Sequence, residues 1–167
     1  MALEAVLGKD VVLLFRIMKD AATNAATKLA FQTEHETTET SESEAIATKD
    51  GSVNTQGTST IEMSCTSILA RNDEMLKKLR DARRKGDLVE IWEVDTQDKK
   101  ENGKYGATYY RGKVSEFSKK PAVDGAVEVS LTFSIDGEGA DGEATLTKEQ
   151  ETVVEYEFKD TTKNTAE

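Results

Sequence analysis

The chain has 167 residues, one domain's worth, of which 37% are apolar and 32% charged, so it is polar but able to build one modest core. Asp and Glu number 32 against 22 Lys and Arg, and the resulting charge of −10 argues against a simple nucleic-acid binder, which needs cations facing phosphates. A single cysteine excludes an intrachain disulfide, a single histidine excludes a multi-histidine metal site, and no apolar run approaches the roughly 18–20 residues of a membrane span.

In chain order, residues 11–18 form a run that is apolar apart from Arg16, as in a strand buried on both faces. The run is too short, and too closely preceded by Glu4 and Asp10, to read as a secretory leader. Residues 20–28 are alanine-rich and poor in large apolar side chains, which predicts a loop or frayed turn. Residues 29–33 predict a short strand. Residues 34–57 are nearly all Thr, Ser, Glu, Gly, Ala and Asn, with Ile46 and Val53 the only branched apolar side chains. By itself this stretch buries too little to offset its ordering entropy, and it is expected to be a long polar loop. Residues 60–69 alternate, with Ile61, Met63 and Cys65 opposite Thr60, Glu62, Ser64 and Thr66.

A helix is expected from Asn72 as N-cap to Gly86 as left-handed stop. Asp73 and Glu74 occupy its first turn, and Met75, Leu76, Leu79 and Ala82 recur at helical spacing. Its outer residues are basic: Lys77, Lys78, Arg80, Arg83, Arg84 and Lys85. With so narrow an apolar stripe, they read as a solvated outer face rather than a phosphate grip. Strands follow at residues 88–94, which carry Trp92, and at residues 105–114. The clearest strand is 126–135, with Val127, Val129, Leu131, Phe133 and Ile135 opposite Glu128, Ser130, Thr132 and Ser134. Asp50-Gly51, Asn102-Gly103, Asp124-Gly125, Asp136-Gly137 and Asp141-Gly142 are expected hairpin turns, a β-protein signature. A last strand is expected at residues 153–158 and a loose tail at residues 161–167.

No chemical constellation assembles. His35 sits between Glu34 and Glu36, but neighbours on an extended chain point to opposite sides, so it reads as a solvated loop histidine. Cys65 reads as a small buried strand residue. The acidic run from Asp136 departs from a calcium loop at Ala140, Asp141 and Thr147. No metal, cofactor or catalytic set is expected.

The order of elements, and a series of short stretches, resemble the major tail proteins, or tail tube proteins, of long non-contractile-tailed phages infecting Gram-positive bacteria. The matching stretches are Glu4-Ala-Val-Leu-Gly-Lys-Asp10 leading into residues 11–16, Phe31-Gln-Thr-Glu-His-Glu36, Ala47-Thr-Lys-Asp-Gly51 and Leu88-Val-Glu-Ile-Trp92. Further on come Tyr109-Tyr-Arg-Gly-Lys113 with Ser115 and Phe117, Gly142-Glu-Ala-Thr-Leu-Thr147, and residues 153–158.

The resemblance implies a mainly β fold, a β-sandwich or barrel-like subunit with one short helix outside. One domain spans residues 1–160, including the loop 34–57, with a flexible tail at 161–167. It implies a non-enzymatic virion protein, present in the host cytoplasm before assembly. Hexameric rings of it stack into a tube, with the tape measure protein and then double-stranded DNA in the lumen and tail terminator and distal tail proteins at the ends. About four strands per subunit give roughly 24 per ring, hence a backbone diameter of about 48 Å and a bore of roughly 40 Å, wide enough for a ~20 Å duplex. Within that frame Glu62, Ser64, Thr66, Glu128, Ser130, Thr132 and Ser134 are lumen-lining candidates, since neither strand face carries a cation. Glu34, His35, Glu36, Glu39, Glu42, Glu44, Lys49 and Asp50 are candidates for a ring-stacking loop. Residues 60–68 are expected at a strand edge that pairs between subunits. A secreted or surface β-sandwich adhesion module is the alternative, weakened by the absence of a leader pattern.

Overall fold

The computed structural model describes residues 2–152. A 3-10 turn at Gly8–Asp10 leads into β1 (Val11–Ile17). The other elements are a second 3-10 turn (Met18–Asp20), β2 (Thr27–Lys28), β3 (Gln32–Thr48), β4 (Gly51–Ile68), α1 (Glu74–Lys85), β5 (Val89–Lys99), β6 (Tyr105–Lys120), β7 (Glu128–Ile135), β8 (Ala140–Ala144) and α2 (Lys148–Thr152). The strand and tail expected at residues 153–158 and 161–167 lie outside the described residues.

Among the described residues the strands form one eight-stranded sheet in the order β2-β1-β5-β6-β7-β4-β3, with β8 also on β6, and every pairing is antiparallel. The sheet curls until its ends meet. The Gln32 side chain at the start of β3 accepts from the Leu13 backbone N–H (3.2 Å) and donates to the Leu13 carbonyl (2.7 Å), standing in for a strand partner. Inside the curl lies the main core, with Leu13, Phe15, Ile61, Met63, Ile91, Leu131 and Phe133 at its centre. Met75, Leu76, Leu79 and Ala82 of α1 pack onto the same core, which leaves the helix's basic side outward.

The apolar run of β1 is buried on both faces, as its composition predicts. Leu13, Phe15 and Ile17 join the main core, while Val12 and Leu14 join a smaller cluster with Val94, Tyr105 and Leu146 on the opposite face. The strands expected at residues 60–69, 88–94, 105–114 and 126–135 all form, and Cys65 is buried in β4.

Several expectations are corrected. Residues 34–57 are not a loop: they form most of the β3–β4 hairpin, paired from Gln32↔Ser67 to Thr48↔Gly51. A ribbon needs no core of its own when its ladder satisfies the backbone and its base is anchored in a larger sheet, and threonine is a strand former. Threonine hydroxyls add bonds across it, from Thr55 to the Glu44 carbonyl (3.2 Å) and from Thr40 to the Thr60 carbonyl (3.4 Å). The strand expected at residues 29–33 is interrupted by a turn at Ala30 and Phe31, where Phe31 has φ 52°. The helix N-cap is Asp73, whose Oδ1 accepts from the Leu76 N–H at 3.2 Å; Asn72 instead takes the left-handed turn position, φ 65°. Asp141-Gly142 lies inside β8, in register with Thr108 and Ala107, because the outer edge of β6 offers it a ladder. Residues 61–68 are no edge, since β4 has β3 on one side and β7 on the other.

Candidate functional site

Register decides which side chains share the sheet face opposite the main core, because directly paired residues point the same way. Glu62 stands beside Ser134, Ser64 beside Thr132 and Thr66 beside Ser130, while Glu128 stands beside Ile68. The two polar strand faces singled out in the sequence are therefore one continuous surface. The Thr66 and Ser130 hydroxyls are 3.5 Å apart. β3 extends the surface on one side with Glu34, Glu36 and Thr38, and β6 on the other with Glu116, Ser118, Lys113 and Lys120. Cation-free character holds for β4 and β7 but stops at β6, where Lys120 pairs with Glu128 and Lys113 with Ser134. Only the tertiary pairing places β6 there.

The ring-stacking candidates fall into separate groups. Glu34 and Glu36 lie at the hairpin base on the polar face just described. Glu42, Glu44, Lys49 and Asp50 are exposed on the projecting ribbon, where neither strand has a second neighbour among the described residues, while Glu39 is exposed nearer the body, opposite Ile61, which β7 still flanks. From Thr40 to Thr48 the ribbon extends roughly 30 Å beyond the sheet at ~3.3 Å per residue. His35 belongs to neither group and is no solvated loop histidine. It shares the core-side face with Cys65, its side chain is 15% exposed, and its Nε2 lies 3.2 Å from Glu93 Oε2. The Thr37 hydroxyl donates to the same carboxylate oxygen at 3.2 Å. These contacts, His35 first, hold the Glu93 carboxyl below the usual carboxylate range despite its partial burial.

Lys77, Arg80, Arg83, Arg84 and Lys85 are exposed on α1 and Lys78 is half-buried, consistent with an outer basic face. Sequence reasoning missed a cluster at the β1–β5–β6 end of the polar face. Arg16 Nε lies 2.6 Å from Glu90 Oε2, the Tyr109 hydroxyl donates to Glu90 Oε1 at 2.9 Å, and the Arg16 guanidinium stacks 5.0 Å above Trp92. Glu90 is buried yet doubly satisfied, so the cluster fixes one end of the face. Its only sequence signal is the pair of glutamates in the otherwise apolar run 88–94. Among the described residues, no group of three His, Cys, Asp or Glu side chains converges as a metal would need, and no helix is long and apolar enough to cross a membrane.

Free edges among the described residues include the outer sides of β2, β3 and β8 and the half of β6 beyond Gly112 that β5 does not reach. A two-faced sheet with open edges and a projecting ribbon is built to meet other chains. Comparison with known proteins agrees. The family described as phage tail tube protein matches residues 5–141. The tail tube protein gp17.1 of Bacillus phage SPP1 is 32% identical over 139 residues, which are 83% of this chain and 52% of that protein. The chain thus spans about half the length of this curated relative. The SPP1 tail tube structure, solved by solid-state NMR and cryo-EM, superposes with a TM-score of 0.76 at 27% identity, covering 98% of this chain and 96% of that one. The tail of an empty gene transfer agent particle, refined with sixfold symmetry, shares the fold at a TM-score of 0.62 and 12% identity, over 84% of this chain and all of that one. The mainly β, helix-capped architecture and the family match together place the sequence: the chain belongs to the phage tail tube protein family.

Proposed function

We propose that this chain is the tail tube subunit of a phage virion, assembling into six-membered rings that stack into the conduit for the genome. The observation that carries the reading is the continuous polar surface of β4 and β7, set opposite the core and flanked by open strand edges. Four adjacent strands, β3, β4, β7 and β6, carry this surface. Four per subunit is the number that gives a bore of roughly 40 Å in a sixfold barrel. Glu62, Ser64, Thr66, Glu128, Ser130, Thr132 and Ser134 line this bore, with Glu34, Glu36 and Glu116 adding acids and Lys113 and Lys120 tempering them. The acids outnumber these two lysines and repel DNA weakly, and the short hydroxyls between them are neutral, which suits passage of the tape measure protein and then the duplex.

The projecting hairpin, with Glu39, Glu42, Glu44, Lys49 and Asp50, makes the contacts between rings, and the basic face of α1 stays on the outside. The tube ends meet terminator and distal tail proteins. The role is structural rather than enzymatic. Electron microscopy of the concentrated protein tests the reading: rings or tubes of sixfold symmetry are expected, and dispersed monomers at every concentration overturn it.

A further inference from the structure

Two exposed apolar features have no cover among the described residues. The first is near the end of the hairpin. Ile46 and Val53 face each other across the ladder and are 49% and 55% exposed. The next pair on their side of the ribbon is Glu44 with Thr55. The second is an open cleft of about 770 Å3 where β1 and β3 begin. Val6, Val12 and Phe31 give its apolar wall, Lys9 and Lys28 its cations, and Glu34 a single acid. Phe31 is 67% exposed and holds a left-handed backbone, φ 52°, a costly conformation for a phenylalanine whose ring is left in water. Lys28 is half-buried and has no ion-pair partner among the described residues. Burial alone pushes its ammonium below the ordinary lysine value. The cleft is thus an apolar wall beside a partly desolvated, unanswered cation.

We propose that the Ile46/Val53 tip of one copy seats in the Val6/Phe31 cleft of a second copy, with Glu44 reaching Lys28. This rests on the self-assembly reading above and adds which surfaces meet. The occupant is another copy because tip and cleft belong to the same strand. From Glu34 onward the ladder is continuous apart from one register shift, and Ile46 lies roughly 40 Å from Glu34 along β3 at ~3.3 Å per residue. A paired ribbon of that length does not fold back on its own base. Tip and cleft are different surfaces, so the contact is head-to-tail and repeats from copy to copy, as stacking requires. The charges match at Glu44 and Lys28: Lys49 and Asp50 at the ribbon's turn offset each other, and the cleft sets two lysines against Glu34 alone. The hairpin length also sets the spacing, so copies joined this way repeat at no more than about 40 Å along the ribbon direction.

The test is charge reversal with rescue. Glu44→Lys and Lys28→Glu are each expected to raise the protein concentration needed for tubes by about tenfold or more, because an attraction becomes a repulsion. The double reversal restores that concentration to within about threefold. Disulfide trapping gives a second measurement that does not depend on how well Lys28→Glu folds. An Ile46→Cys chain is mixed with a Phe31→Cys chain, assembled and oxidised, and peptide mapping is expected to find the 46–31 link. The native thiol does not compete, since burial pushes Cys65 up to about 12. Wild-type tubes together with an absent 46–31 link, or with both single reversals tolerated, overturn the docking alone. A wild-type chain that never assembles overturns the self-assembly reading and the docking with it.

Discussion

His35 of β3 and Glu93 of β5 are separated by three intervening strands in the sheet, yet His35 Nε2 lies 3.2 Å from Glu93 Oε2. The contact crosses the curl of the sheet and pins the base of the hairpin to the body of the subunit.

Its pH dependence follows from Glu93. The folded carboxyl is held below its ordinary value by His35, then by Thr37. Its contribution to stability is therefore fully present above the unfolded value of about 4.3 and is lost as pH falls through the folded value. His35→Ala is expected to cost about 1 kcal/mol near neutral pH. Urea unfolding of both proteins checks this. The gap between them closes as the solution is acidified below about pH 4, and a gap unchanged by acid counts against the pairing.

Gly112 lies where β6 changes partners. A Cβ there would stand 2.1 Å from the Ser134 carbonyl oxygen of β7, a backbone atom that is held in a ladder. Gly112→Ala is expected to destabilise by about 2–3 kcal/mol. Calorimetry should show a clear fall in Tm, and an unchanged Tm shows that β7 yields at that point.

Asp73 does two jobs with one carboxylate. Oδ1 accepts from the Leu76 N–H and Oδ2 from the Ala30 N–H, both at 3.2 Å, tying the start of α1 to the turn before β3. Asp73→Ala loses both and is expected to cost about 1–2 kcal/mol. Asp73→Asn keeps one acceptor oxygen and should fall between. Thermal unfolding of the three proteins gives the order, and equal stability of all three rejects it.

The bore assignment is tested by reversing its charge. Glu62 and Glu128 are exposed, so lysine at both positions should leave the fold intact. Duplex DNA carries one negative charge per about 1.7 Å, and repulsion from wall acids is screened beyond about 8–10 Å. Particles carrying Glu62→Lys and Glu128→Lys are expected to release DNA more slowly, most of all at low salt. Ejection that matches wild type at every ionic strength removes these residues from the lumen.

Alternation makes most of the sheet legible in the sequence. The face that Val127, Val129, Leu131 and Phe133 share is fixed by a period of two, and so is the opposite set from Glu128 to Ser134. The two-sided burial of β1 and the apolar stripe of α1 are equally plain, because burial acts on each short segment through its own period. The hairpin is not legible. Its strands hold together through backbone ladders and threonine hydroxyls, which leave no apolar pattern, so its composition reads as a loop. Pairing between distant segments is likewise silent. Lys120 beside Glu128, His35 against Glu93 and Arg16 upon Glu90 each join residues from different strands, and only register and the curl of the sheet bring them together. Local periodicity is enough to say which faces are apolar. The tertiary structure decided which polar faces become one surface, which edges stay open and where the ribbon points, because those depend on long-range backbone pairing that no local period encodes.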